Sequence, residues 1–112
     1  MYTPEEYLDE RHRSAYGMWL NSLDPDTAAR ITVATFRMAQ GLLGDVKPVG
    51  NGVLERRLNF GPGYRIYFGM ARRNGSGALL VLLHGGTKRQ QTDDVKKAKA
   101  FWDDYQRRRR RK

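Results

Sequence analysis

The sequence predicts an α+β domain, and three observations lead to that class. Apolar residues recur at helical spacing in residues 14–39 and again in residues 92–105. Residues 53–70 instead alternate apolar and polar side chains with the two-residue period of strands, and residues 78–84 are almost wholly apolar. Helices and strands segregated along the chain in this way are typical of α+β proteins.

The length and composition indicate one folded domain. A chain of 112 residues can bury one core but not two, and we place the domain at residues 1–106, followed by a basic, disordered tail at residues 107–112. The chain has no cysteine, which excludes disulfides, cysteine-ligated zinc and a thiol nucleophile. It also has no long apolar run and no signal-peptide core, so a cytoplasmic protein is expected.

The first residues allow two structures. Thr3 and Pro4, followed by two glutamates, resemble a capped helix start with proline in the first turn. Residues 2–8 could equally form an edge strand, where proline is tolerated. Local signals favour the helix, and the two alternatives remain open at this point.

Two helices are predicted next. Ser14 can cap a helix over residues 14–23. Asp24 is a natural cap for a second helix that has Pro25 in its first turn and runs to about Ala39. Because only about two residues join them, the helices should form an antiparallel hairpin.

The strands and the last helix follow from residue 53 onward. Strands are predicted at residues 53–60, 64–70 and 78–84, joined by the tight turn Gly61-Pro62-Gly63 and by a polar turn at residues 72–77. Together they should make a three-stranded antiparallel meander. Residues 92–105 should form the final helix, with Thr92 as its cap.

Positive charge is concentrated in the second part of the chain. Residues 1–40 contain four Lys/Arg and six Asp/Glu, whereas residues 41–112 contain seventeen and six. Residues 107–112 alone supply six of these cations, and such terminal runs usually bind polyanions without selectivity. The cations of the strands are more informative, because they alternate with apolar residues and so share a face.

One carboxylate and several cations should meet on that face. Strand periodicity puts Glu55 beside Arg57, and the tight turn could set Arg65 next to them. RNA cleavage requires a base for the ribose 2′-hydroxyl, cations for the phosphate and an acid for the leaving oxygen. Glu55 could be the base, Arg65 and Arg57 the phosphate clamp, and Lys88 or Arg89 a clamp or acid. Equally, Glu55 and the arginines could be structural ion pairs.

Three further residues bear on function. Lys47 could contact an RNA backbone, and Tyr67, on the Arg65 side of its strand, is the better candidate for stacking on a base. His84 ends an apolar strand, so a near-core histidine is more plausible than a catalytic one. Histidines and carboxylates do not cluster at ligand spacing, so we expect no metal and no cofactor.

These residues occur within motifs that resemble the RelE/ParE superfamily of bacterial toxins, in particular the HigB-like addiction module killer branch. The motifs are residues 44–53 together with Glu55, residues 61–68 (Gly-Pro-Gly-Tyr-Arg-Ile-Tyr-Phe), residues 85–91 (Gly-Gly-Thr-Lys-Arg-Gln-Gln), and Asp94-Val95 with Ala98. Trp19-Leu20 with Leu23 also fits. Two departures are Thr87, where the branch usually has an acidic residue, and Arg56, where many members have leucine.

The resemblance implies a fold and a function. The implied fold is RelE-like: an N-terminal strand near residues 2–8, a helical hairpin, a three-stranded meander and a C-terminal helix. The implied activity is metal-independent cleavage of mRNA in the ribosomal A site, with Arg65 stabilising the transition state. The implied partner is a helix-turn-helix antitoxin, through which alone the toxin meets operator DNA. The alternatives are a ParE-like gyrase inhibitor and a non-catalytic, basic nucleic-acid-binding module.

Overall fold

The computed structural model describes residues 1–72 and 77–110. Five strands and three helices lie within these ranges. In chain order they are β1 (Tyr2–Glu6), α1 (Ala15–Asn21), α2 (Pro25–Ala39), β2 (Val46–Gly50), β3 (Val53–Leu58), β4 (Tyr64–Arg72), β5 (Ala78–Thr87) and α3 (Gln91–Arg110), with a 3₁₀ turn at Lys88–Gln90 before α3. The polar turn predicted at residues 72–77 falls mostly outside the described residues.

The strands form one mixed sheet in the order β1-β5-β4-β3-β2. The pairs β2–β3, β3–β4 and β4–β5 are antiparallel, whereas β1 lies parallel to β5 at one edge. Helices α1 and α2 cover one face of the sheet and α3 covers the other, because the apolar residues of the strands divide between two clusters, one on each face.

The predicted RelE-like fold with a three-stranded antiparallel meander is therefore wrong: the sheet has five strands and is mixed. The sequence patterns did not predict β2 or the pairing of β1 with β5. Pro48 and the flanking glycines hid β2, which is an edge strand, where a residue without an N–H is tolerated. The parallel pairing of β1 with β5 joins residues more than seventy positions apart, and no local pattern encodes such a contact.

Glycine geometry explains how β2 joins the sheet. Gly50, Asn51 and Gly52 all have positive φ angles, of 106°, 57° and 84°. Such angles cost little only for glycine and, to a lesser degree, asparagine. They form the tight turn that folds β2 back onto β3, with Lys47 opposite Glu55.

The caps predicted for the first two helices are confirmed. The Ser14 hydroxyl accepts a hydrogen bond from the Gly17 N–H at 2.9 Å, and the Asp24 carboxylate accepts one from the Thr27 N–H at 3.1 Å. Each bond satisfies a backbone donor that the helix itself leaves unpaired.

Arg56 points to the face of the sheet that α1 and α2 cover, as its strand position beside Leu54 and Leu58 predicts. Its Nη1 donates a hydrogen bond to the Leu43 carbonyl at 3.2 Å, and partial burial lowers its pKa. Room for the guanidinium comes from Gly44, where a Cβ atom would collide with it. The extra charge is thus accommodated at the margin of the apolar core.

Helix α3 runs across the boundary predicted at residue 107. Arg107 to Arg110 form its last turn, in contrast to the disordered tail that we expected for these residues, and residues 111–112 lie outside the described ranges. Arg108 donates to the Leu8 carbonyl at 2.6 Å and pairs with Asp104 at 2.5 Å. No helix in the described part of the chain is long and apolar enough to cross a membrane.

The contact between Gly69 and Trp102 gives a prediction of stability. A Cβ atom on Gly69 would lie 2.5–2.6 Å from three atoms of the Trp102 ring, so Gly69→Ala should lower the free energy of unfolding by about 1–3 kcal/mol. Urea denaturation measures this cost. In a Trp102→Leu background the cost should shrink, since the ring is gone; an equal cost in both backgrounds would contradict the explanation.

Candidate functional site

Two arginines lie side by side on the face of the sheet that α3 covers. Arg57 on β3 is the direct partner of Arg65 on β4, and Arg65 is in turn opposite Gly86 on β5. Arg57 is about one-third exposed and pairs with Asp45 at 3.2 Å, whereas the Arg65 side chain is 7% exposed. The structure thus brings together the two cations that we predicted as a phosphate clamp.

Glu55 lies directly behind Arg65 and is fully buried. Its Oε1 is 3.9 Å from Arg65 Nε, and its Oε2 accepts a hydrogen bond of 2.7 Å from the amide of Gln91, the first residue of α3. A buried carboxylate requires a cation and hydrogen-bond donors. Arg65 supplies the cation at ion-pair distance and Gln91 supplies one donor, while Oε1 accepts no hydrogen bond from a described residue. The carboxylate is consequently enclosed, and Gln91 separates it from solvent.

The loop between β5 and α3 closes one side of the arginine pair. The Lys88 N–H donates to the Gly63 carbonyl at 2.8 Å, which joins this loop to the turn before β4. A Cβ atom on Gly63 would lie 3.4 Å from Lys88 Cβ and 3.6 Å from Arg65 Nη1. The Cβ atom of Lys88 therefore lies near the Arg65 guanidinium. The side chains of Lys88 and Arg89 are both exposed.

Tyr67 is in the predicted place but is not open to a ligand. Its side chain is fully buried between Glu55 and His84, its direct neighbours on β3 and β5. Burial raises the pKa of its hydroxyl far above the ordinary value, and the Glu55 and Asp94 carboxylates raise it further. The ring packs against His84 with centroids 6.4 Å apart, which argues against the base-stacking role that we predicted.

A histidine–aspartate pair next to this site was not foreseen as a unit. His84 Nε2 lies 2.9 Å from Asp94 Oδ1, and both side chains are mostly buried. The close approach needs Gly86, because a Cβ atom there would collide with the Asp94 carboxylate. Sequence reasoning treated His84 as a near-core residue and Asp94 as a helix start. Their spacing of ten residues is not diagnostic, although Gly85-Gly86 between them is a signal of close packing.

An open cleft of about 400 Å³ lies beside the pair, lined by Asp9, Arg13, Ala15, Met18, Trp19 and His84. Only His84 belongs to both the cleft and the pair, and the cleft opens between α1 and the loop before it. Within residues 1–72 and 77–110, no group of three His, Cys, Asp or Glu side chains is arranged to hold a metal ion.

Comparison with known proteins gives a relative but no activity. An uncharacterized protein of Haemophilus influenzae is 39% identical to this chain over 71 residues, which are 62% of this chain and 68% of that protein. No family model matches the chain, and no solved structure matches it. This chain therefore belongs to the same protein family as the Haemophilus influenzae protein.

Proposed function

We propose that this chain is the toxin of a type II toxin–antitoxin module, related to the HigB-like toxins, and cuts mRNA on the ribosome without a metal ion. In this proposal it acts in the cytoplasm and is neutralised by a helix-turn-helix antitoxin. One observation carries the catalytic part: Arg57 and Arg65 are direct partners across β3 and β4, with the buried Glu55 carboxylate behind Arg65.

The reaction is an internal phosphoryl transfer. The ribose 2′-oxygen forms a bond to the adjacent phosphorus while the bond to the 5′-oxygen breaks, and negative charge grows on the non-bridging oxygens. The planar fork of Arg65 is suited to these oxygens. Because the Tyr64 carbonyl accepts a hydrogen bond from Arg65 and Glu55 attracts its charge from 3.9 Å, the guanidinium is already oriented when the charge develops, which is the condition for strong electrostatic catalysis.

Two proton transfers accompany this step. Glu55 takes the proton of the 2′-hydroxyl after bound RNA has displaced the Gln91 amide, which makes one hydrogen bond to the carboxylate. Lys88 supplies a proton to the leaving 5′-oxygen, since its Cβ atom lies near the Arg65 guanidinium and its side chain is exposed. The products then carry a 2′,3′-cyclic phosphate and a 5′-hydroxyl.

One observation favours a second candidate, a non-catalytic nucleic-acid-binding module. Glu55 is fully enclosed and already paired with Arg65 and Gln91. In a module that only binds, the carboxylate would serve solely to hold Arg65 in place, and no displacement of Gln91 would be needed.

Induced expression of the chain in bacteria separates these functions. Primer extension on cellular mRNA should find discrete cuts within translated codons, and the fragments should be substrates for a kinase that phosphorylates 5′-hydroxyl ends. Intact mRNA together with broken DNA would contradict the proposal and indicate gyrase inhibition. Intact mRNA and intact DNA, with RNA bound to the purified chain, would indicate the binding module.

A further inference from the structure

Positive charge continues from the arginine pair along the margin between β2 and α3. Lys47 is the direct partner of Glu55 across β2 and β3. Directly opposed residues of antiparallel strands project from the same face, so Lys47 lies on the face that carries Arg57 and Arg65. Its side chain is exposed, at the open edge of the sheet.

Lys99 on α3 reaches the same margin further along. Its Nζ would be 3.0 Å, and its Cε 3.3 Å, from a Cβ atom on Gly50, so its side chain lies over the end of β2. Its side chain is only partly exposed. A lysine stem that covers nonpolar surface while its amine reaches water holds the charge near a defined position.

The two carboxylates beside the arginine pair are engaged elsewhere. Asp45 pairs with Arg57, and Glu55 is buried against Arg65 and Gln91. In the part of the chain that the structure describes, neither Lys47 nor Lys99 forms a salt bridge. Both amines are therefore available for an external anion.

Three of the four cations follow one line, and Arg65 lies beside its first member, Arg57, on β4. Arg57, Lys47 (opposite Glu55) and the end of β2 at Gly50 (opposite Val53) occupy successive two-residue steps along β3. At about 3.3 Å per residue the line is roughly 13 Å long. Charges spaced along an open strand edge suit an extended polyanion better than a compact anion.

We propose that single-stranded RNA binds along this β2–α3 margin, with its phosphates on Lys47 and Lys99 and the cut phosphate at Arg65. This inference rests on the proposed function, because an RNA strand held at Arg65 must leave the site in some direction, and this margin continues its positive charge. The contacts are to the backbone, which fixes the path of the strand without reading its sequence.

Helix α3 offers a matched control for Lys99. Lys97 is also exposed on α3, but two residues rotate a helix by about 200°, so Lys97 projects from the opposite flank. Lys99→Ala and Lys97→Ala remove the same charge from the same helix. Binding is measured by fluorescence anisotropy of the purified chain with a labelled 2′-O-methyl oligonucleotide, which has no hydroxyl to react, over a range of salt concentrations.

The expected result is a difference in salt dependence. The slope of log affinity against log salt is negative, and its magnitude should decrease by about 0.7 for Lys99→Ala and by a similar amount for Lys47→Ala. The decrease should be about 1.4 for both together, as for single-stranded phosphate contacts. Lys97→Ala should leave the slope unchanged. Equal slopes for Lys99→Ala and Lys97→Ala would overturn the inference. Polyglutamate serves as a second probe, for an acidic protein. If Lys47→Ala and Lys99→Ala lost polyglutamate binding and kept RNA binding unchanged, the inference would also be overturned, and an acidic protein partner would be indicated.

The proposed function and this inference can fail separately. If the Lys47→Ala and Lys99→Ala variants both cleaved mRNA normally and bound RNA with unchanged slopes, the inference would be overturned and the proposed nuclease activity would stand. Altered slopes in a chain that cuts no RNA would support the RNA path and contradict the nuclease.

Discussion

Arg65→Ala is expected to lower the rate of RNA cleavage by about 10²- to 10³-fold, the usual effect of removing one preorganised group that stabilises a transition state. The physical reason is the orientation of the guanidinium. Its Nη1 donates a hydrogen bond to the Tyr64 carbonyl at 3.1 Å, and its Nε lies at ion-pair distance, 3.9 Å, from Glu55 Oε1. The rate is measured on translated mRNA by primer extension, with the amount of protein equalised.

A control on the same strand distinguishes this role from general loss of charge. Arg72 ends β4 and is exposed, so Arg72→Ala removes one positive charge and should leave cleavage unchanged. Arg65→Lys keeps the charge but not the fork, and it should recover only part of the activity. Equal cleavage by Arg65→Ala and the unsubstituted chain would exclude Arg65 from the catalytic site.

Loss of activity could also reflect loss of stability, and a double variant separates the two. Arg65→Gln combined with Glu55→Gln removes both buried charges and leaves two neutral amides that can bond to each other. The double variant should fold, as judged by circular dichroism and a cooperative melt, and yet remain inactive. An active double variant would contradict the proposed electrostatic role of Arg65.

Glu55→Ala is expected to lower the free energy of unfolding by about 3–5 kcal/mol, the typical cost of leaving one member of a buried ion pair without its partner. The Arg65 side chain is 7% exposed and cannot turn to solvent without local rearrangement. The Gln91 amide would lose its acceptor as well. Equilibrium unfolding in urea measures the loss.

A double-mutant cycle with Arg65→Ala tests whether the two residues act as a pair. If they do, the double variant should be less destabilised than the sum of the two single variants, since neither charge is then left alone. Asp45→Ala is the comparison, because its pair with Arg57 is solvent-exposed and should contribute no more than about 1 kcal/mol. Additive effects of Glu55→Ala and Arg65→Ala would mean that the pair has no mutual stabilisation.

The neighbourhood of Glu55, Arg57 and Arg65 could be predicted because short-range rules determine it. Strand periodicity puts Glu55 and Arg57 on one face, and a tight turn at residues 61–63 brings β4 against β3. The same rules could not predict how deeply the residues are buried. Gln91, whose side chain bonds to Glu55, is thirty-six residues away in sequence. Its position at the start of a helix does not indicate which side chain it contacts.

The His84–Asp94 pair and the sheet edges escaped prediction for a related reason. His84 and Asp94 meet only because α3 packs across the end of β5, where Gly86 leaves space for the carboxylate. The parallel contact of β1 with β5 joins residues more than seventy positions apart. Both depend on how separate elements pack together, and hydrophobic periodicity shows only whether a residue is buried, not which residues it contacts.

By itself, the sequence determined the first two helices and their caps, the β3–β4 hairpin and the face on which Glu55, Arg57 and Arg65 lie, because capping, periodicity and turn chemistry act over a few residues. Only the tertiary structure decided that the sheet has five strands and is mixed, that α3 encloses Glu55 and Tyr67, and that Lys99 joins Lys47 at the margin of the sheet. These features depend on contacts between segments that are distant in the chain, and such contacts exist only once the two cores have packed.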